Sequence, residues 1–93
     1  MAKTKPQIVK RHGHSELYDA RKLYASVYAA CLTVRATDQE AELIAADVTE
    51  YVDSWFVAKH EVTSHDLMCK ALVRFKELHP DAAYMYEHHI NLS

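Results

Sequence analysis

Hydrophobic residues recur at helical spacing in four segments of the chain. The first segment follows Asp19, whose short carboxylate is a typical N-terminal helix cap. Its apolar positions are spaced i, i+4, i+7, i+8 and i+11, which places them on one face of a helix. They are Leu23, Val27, Ala30, Cys31 and Val34, with Tyr24 and Tyr28 at the edges of the stripe. This pattern predicts an amphipathic helix.

A second helix is predicted to begin after Thr37. Thr37 and Glu40 form a capping-box pattern, in which each side chain satisfies a backbone N–H of the other residue. The apolar stripe behind this cap consists of Ile44, Val48, Tyr51, Val52 and Trp55, widened by Leu43 and Phe56.

The third and fourth helices follow in the same way. Thr63 and Asp66 repeat the capping pattern, with Ser64 as an alternative cap, and the stripe is Leu67, Met68, Ala71, Leu72, Phe75 and Leu78. Pro80 suits the first turn of a fourth helix, because its missing N–H would have no partner there. The predicted stripe of that helix is Tyr84, Met85, His88 and Ile90.

Short apolar pieces on either side of Gly13 predict a β-hairpin, and residues 59–62 offer a third extended piece. A hairpin is too small to be stable alone, so we expect it to lie against the helices. The predicted fold is α+β and mainly helical, a four-helix bundle capped by a small sheet of about three strands. Residues 1–6 form a flexible lead-in, and residues 7–90 form one domain.

The composition supports a mainly helical globular domain. The chain has 93 residues, of which 49% are hydrophobic, with one Gly and two Pro. So few turn-forming residues disfavour an all-β fold, and six Tyr, two Phe and one Trp are too much apolar surface for a disordered chain. From the sequence pattern we expect no signal peptide and no membrane span, and a soluble cytoplasmic protein.

Charge is distributed unevenly along the chain. The net charge is −2, yet residues 1–22 carry six basic and only two acidic side chains. Such asymmetry suggests an anion site near the N-terminus.

Lys10 and Arg11 end the first strand, and Lys22 lies in the first turn of the first helix, where the backbone amides add positive potential. Glu16 and Asp19 are acceptors close by, and Tyr18 and Leu23 could present an apolar wall to a flat ring.

Metal and redox chemistry are not predicted. The two cysteines, Cys31 and Cys69, form no CxxC motif and lie in apolar segments, which suggests buried thiols in a reducing compartment. No two of the seven histidines are spaced i, i+4, and neither cysteine has an evident partner nearby in the sequence. The spacing rules for zinc are therefore not met.

Two motifs resemble a known family. Residues 9–23, VKRHGHSELYDARKL, resemble the opening of the ATP-cone domain, in which a Lys-Arg pair and a glycine are followed by an aromatic-acidic pair, a lysine and an aliphatic residue. EVTSHDLMCKALVRF, residues 61–75, resembles the start of a later helix in that family. His12 stands where the family usually has Asp or Asn. The likeness covers about residues 7–90.

The resemblance implies a free-standing ATP-cone domain that binds ATP or dATP, with Mg²⁺ as a possible companion of the triphosphate. Such domains regulate ribonucleotide reductases and occur in the repressor of reductase genes, where the bound nucleotide changes the oligomeric state. By motif match, Lys10, Arg11 and Lys22 hold phosphates, and Glu16 and Asp19 contact the base or sugar. Tyr18 and Leu23 line the pocket, whose other side is closed by Ser64, Leu67 and Met68.

Three functions follow as hypotheses. The first is a non-catalytic regulatory domain that senses adenine nucleotides and changes its self-association or a partner such as a reductase. The second is an interaction module that kept the fold and lost the ligand, with exposed aromatic residues as its contact surface. The third, a nucleic-acid binder, is the weakest, because the cations are few and residues 23–93 are acidic.

Overall fold

A computed structural model of the protein describes residues 8–11, 14–57, 59 and 61–92, and the side chains of residues 9, 17–57, 59 and 61–88. The predicted lead-in and the predicted turn at His12 and Gly13 lie outside these residues. The elements are β1 (Ile8–Arg11), β2 (His14–Leu17), α1 (Ala20–Thr33), α2 (Asp38–Phe56), β3 (Glu61–Thr63), α3 (Ser64–Leu78) and α4 (Pro80–Leu92). The prediction of a mainly helical protein is confirmed.

The predicted helix caps are confirmed in detail. Asp19 caps α1 by accepting a hydrogen bond from the backbone N–H of Arg21. Thr37 and Glu40 make both bonds of the capping box, each 3.1 Å long. Thr63, not Ser64, caps α3 by accepting from the N–H of Asp66. These caps satisfy amides that have no partner inside a helix.

The first helix ends without the glycine that such endings favour. Arg35 has a φ of 66°, the left-handed conformation that glycine adopts without steric cost. The N–H of Ala36 bonds to the carbonyl of Cys31, and the N–H of Arg35 bonds to that of Leu32. This pair of bonds is the Schellman motif, which satisfies carbonyls at a helix C-terminus. It turns the chain from α1 into α2.

Each helix packs against two others: α1 and α3 both contact α2 and α4. The strands have the order β2-β1-β3, with β2 antiparallel and β3 parallel to β1. Val9 lies opposite Val62, and both are buried where α3 packs against the strands. The pairing therefore ties the start of the chain to the start of α3.

The apolar faces agree with the prediction in α1 and, apart from Leu43 and Leu78, in α2 and α3, but not in α4. In α2 the buried positions are Ala41, Ala45, Val48, Val52 and Phe56. Leu43 is 69% exposed, so assigning it to the stripe was wrong. Leu78 of α3 also lies at the surface. In α2 the buried face includes Ala41 and Ala45, which the predicted stripe left out, because alanine lets two backbones approach closely.

The face of α4 was predicted wrongly. Ala82, Ala83 and Tyr86 are buried, whereas Tyr84 is 60% exposed and His88 lies at the surface. Met85 is half-buried, and the side chain of Ile90 lies outside the described residues. Within the part of the chain that the structure describes, no helix combines the length and apolar character needed to cross a membrane.

Candidate nucleotide-binding site

A pocket of about 180 Å³ opens at the corner where β2 leads into α1. Six of the residues predicted from the sequence line it: Tyr18, Asp19, Lys22, Leu23, Ser64 and Leu67. Four further residues complete the lining: Val9, Leu17, Ser26 and Tyr86. Residues from both sequence motifs, more than 40 positions apart, thus meet around one hollow.

The meeting of the two motifs follows from the strand pairing. β1 runs parallel to β3, and the backbone of Lys10 lies opposite Thr63, the residue that caps α3. The first turn of α3 therefore starts beside the end of β1, and Ser64 and Leu67 reach the pocket from there. Asp19 and Lys22 reach it from the first turn of α1. Two helix N-termini border the same hollow, and each carries partial positive charge.

Asp19 caps helix α1 and also lines the pocket. Its Oδ1 accepts from the N–H of Arg21 at 3.0 Å and lies 3.5 Å from the guanidinium Nε of the same residue. The hydrogen bond from the backbone of Arg21 lowers the pKa of the Asp19 carboxyl below its usual range. Asp19 is therefore charged at neutral pH. Because Oδ1 makes both contacts, a ligand would meet Oδ2.

Tyr18 lines the pocket and is held in place by contacts with α2. Its hydroxyl donates a hydrogen bond of 2.5 Å to Oδ1 of Asp53, and its ring stacks on Phe56 with centroids 4.4 Å apart. Burial, and then the bond to Asp53, raises the pKa of Tyr18 well above its usual range. The phenol therefore stays protonated and keeps donating to Asp53. This bond couples the pocket wall to the C-terminal turn of α2.

Sequence reasoning missed Asp53 as a supporting residue. It follows Val52 and precedes Phe56 by three positions, so it lies at the edge of the apolar stripe of α2. A carboxylate at such an edge is rarely buried without a partner. The position of Asp53 at the edge of the stripe indicates that its carboxylate needs a partner. Nothing in the sequence identified Tyr18 as the hydrogen-bond donor.

Tyr86 was the other omission. Tyr86 is 5% exposed and forms part of the pocket lining. Burial raises the pKa of Tyr86 to about 12, so the phenol is protonated at neutral pH. Its ring packs against Phe75 at 5.6 Å. Because Tyr86 belongs to α4, this helix also contributes to the lining of the pocket.

The remaining predicted residues divide into two groups. Met68 packs against the core and does not line the pocket, unlike its predicted role. The side chains of Lys10, Arg11 and Glu16 lie outside the described residues, so their roles stay predictions. Their backbones belong to β1 and β2, with Glu16 opposite the pocket residue Val9.

The two cysteines differ in environment. Cys31 is buried in the core, as predicted, and burial raises the pKa of its thiol. Cys69 is exposed, so the prediction that both thiols are buried was wrong. It also has a partner: its Sγ lies 3.5 Å from Nε2 of His65, one turn earlier on α3. The expectation that Cys69 has no neighbour in the sequence was wrong, because His65 precedes it by four residues and lies on the same helix face.

Comparisons of this chain with protein-family models, with curated proteins and with solved structures found no match.

Proposed function

We propose that this chain is a regulatory domain of the ATP-cone type, which binds ATP or dATP at the α1–α3 corner and transmits occupancy to its own assembly or to a partner. The observation that carries the proposal is the convergence of six predicted residues, from both family-like motifs, on one pocket.

The size of the pocket indicates which part of a nucleotide would lie inside it and which part would lie outside. Pockets that bury a whole small ligand usually measure about 300–1,000 Å³. A hollow of about 180 Å³ is smaller, so it suits a purine ring and part of the sugar. The apolar side chains of Leu23 and Leu67 and the ring of Tyr18 supply walls for such a ring. The triphosphate would extend outward past Lys22, which is exposed.

Electrostatics favour an anion at the same opening. Two helix N-termini and Lys22 border the pocket, and Lys10 and Arg11 end the strand that runs beside it. A helix N-terminus and a lysine are a common combination for phosphate. The charged Asp19 and the protonated Tyr86 add an acceptor and a donor for sugar hydroxyls or ring nitrogens. We expect binding without hydrolysis, with Mg²⁺ as a companion of the triphosphate.

Calorimetry with ATP, dATP, ADP and GTP tests the proposal, using Lys22→Ala and Lys10→Ala. We expect micromolar binding of an adenine triphosphate. Because Lys22 is exposed, its loss should cost about 1.5 kcal/mol, the lower end for a charged hydrogen bond and roughly tenfold in affinity. Arg21→Ala is the matched control, since Arg21 is adjacent, carries the same charge, is 93% exposed and does not line the pocket.

Two results would contradict the proposal. Equal losses in Lys22→Ala and Arg21→Ala would mean that general charge attraction, and not the pocket, binds the nucleotide. Failure of the folded wild-type chain to bind any adenine nucleotide would favour the alternative function, an interaction module that has the fold without the ligand. Sedimentation with ATP and with dATP then tests whether occupancy changes self-association.

The alternative function has one observation of its own. Leu43 of α2, Val73 of α3 and Tyr84 of α4 are between 51% and 69% exposed. An exposed aromatic side chain such as Tyr84 is a typical anchor of protein contacts. Self-association is compatible with both functions, so nucleotide binding is the measurement that separates them.

A further inference from the structure

The pair formed by His65 and Cys69 lies on the exposed surface of α3, away from the pocket. Successive residues of a helix are rotated by about 100°, so His65 and Cys69 point to roughly the opposite side of α3 from Ser64 and Leu67. Both side chains are exposed. Neither is needed for the core or for the proposed nucleotide site.

The distance between Sγ of Cys69 and Nε2 of His65 can be compared with the distance between two ligands of one zinc ion. A tetrahedral zinc with Zn–S of about 2.3 Å and Zn–N of about 2.0–2.1 Å holds its sulfur and nitrogen ligands about 3.6 Å apart. Sγ of Cys69 and Nε2 of His65 are 3.5 Å apart. A metal could therefore enter between them with little movement of either side chain.

We propose that His65 and Cys69 are half of a zinc site, which the same pair of a second copy of this chain completes. Zinc in structural sites takes four ligands, and Cys₂His₂ is one of its common ligand sets. Among the described residues of one chain, no group of three or more His, Cys, Asp or Glu side chains could hold a metal ion. Among the residues that the structure describes, one copy thus supplies two ligands, and two positions stay open.

A second copy can supply the missing ligands because of where the pair lies. The two side chains stand one turn apart on an exposed helix face, which another α3 can approach across a two-fold axis. Such an axis places the two pairs around one ion. Val73, one further turn along the same face, is 51% exposed and offers apolar surface beside the ion. The ion is bound by the thiolate and by the neutral imidazole, so binding releases protons.

Cobalt(II) is the probe for the first measurement, because thiolate ligands give it a characteristic charge-transfer absorption. The full chain is titrated without nucleotide, in a phosphine reductant that keeps Cys69 reduced without adding thiols. We expect that absorption to saturate at one cobalt per two chains. Sedimentation should show that one zinc per two chains doubles the mass of the particle, and that a chelator reverses the change.

His65→Ala and Cys69→Ser should each weaken cobalt binding by about tenfold or more, since even indirect support of a metal ligand is worth about 10–100-fold. Both should abolish the zinc-dependent dimer. His88→Ala is the matched control, as His88 is another exposed histidine, on α4, and its loss should change neither result. All three positions are exposed, so the variants should fold, which circular dichroism checks.

Three outcomes would overturn the proposal. Cobalt binding that His65→Ala leaves unchanged would reduce the contact to a thiol–imidazole hydrogen bond. One cobalt per chain, bound by a monomer, would exclude a shared ion. A dimer that forms without metal and disappears in reductant would be a disulfide between exposed Cys69 residues. None of these outcomes affects the nucleotide proposal, whose residues lie on the other side of α3.

Discussion

Removing the hydroxyl of Tyr18 tests how the pocket wall is held in place. Tyr18→Phe keeps the ring, so the stack on Phe56 is retained, and only the 2.5 Å bond to Asp53 is lost. Hydrogen bonds to charged groups contribute about 1.5–3 kcal/mol. Both partners are half-buried, so water can reach Asp53 once the phenol is gone. We therefore expect a loss of about 1.5 kcal/mol, the lower end of that range.

The chain provides its own control for this measurement. The hydroxyl of Tyr28 also donates to a carboxylate, Oδ1 of Asp38, but over 3.3 Å and at the exposed surface. Tyr28→Phe should cost less than about 0.5 kcal/mol, as surface substitutions usually do. Urea unfolding gives both values, and thermal unfolding should show the melting temperature of Tyr18→Phe lowered by about 6–10 °C.

The result that refutes the reasoning is a Tyr18→Phe variant no less stable than Tyr28→Phe. A double-mutant cycle with Asp53→Ala, which removes the acceptor, separates the bond from other effects. If the two partners act through this bond, the double variant should lose less than the sum of the single losses. Strict additivity would mean that Tyr18 and Asp53 contribute independently.

Two further predictions concern the helix end and alkaline pH. Arg35→Gly should stabilise the protein by about 0.5–1 kcal/mol in urea unfolding, because glycine adopts the left-handed conformation without strain; a loss would show that the Arg35 side chain matters more. The folded pKa of about 12 for Tyr86 exceeds the usual 10, so its contribution is complete below pH 10 and falls from pH 10 to 12. Tyr86→Phe should reduce that decline by up to about 1.4 kcal/mol per pH unit, and an unchanged decline would contradict the assignment.

The features that sequence reasoning predicted well are local. A cap needs only its own residue and the next two or three, so Asp19, Thr37 and Thr63 could be identified from spacing. The apolar stripe of α1 is equally local, because large side chains at regular spacing leave little choice of face. The capping pattern could not separate Thr63 from Ser64 as the cap of α3, because either hydroxyl can accept from an amide of the first turn.

The features that were missed depend on partners distant in sequence. Ala82 and Ala83 contribute little to an apolar pattern, yet they allow α4 to approach its neighbours closely, so the large residues Tyr84 and Met85 do not define the buried face. Asp53 could be noticed as a carboxylate at the edge of a stripe, but its donor is 35 positions away.

The candidate site depends both on local sequence motifs and on contacts between residues that are distant in sequence. Each half of it is a helix start, recognisable from a short motif, whereas the pocket exists only because β1 pairs in parallel with β3 and brings the two starts together. Tyr86 enters the pocket from α4, which neither motif contains. A ligand that contacts α1, α3 and α4 at once would favour one relative arrangement of three helices. Nucleotide occupancy could thereby alter distant helix faces, because helices packed in a ring share their contacts and a shift of one requires its neighbours to adjust.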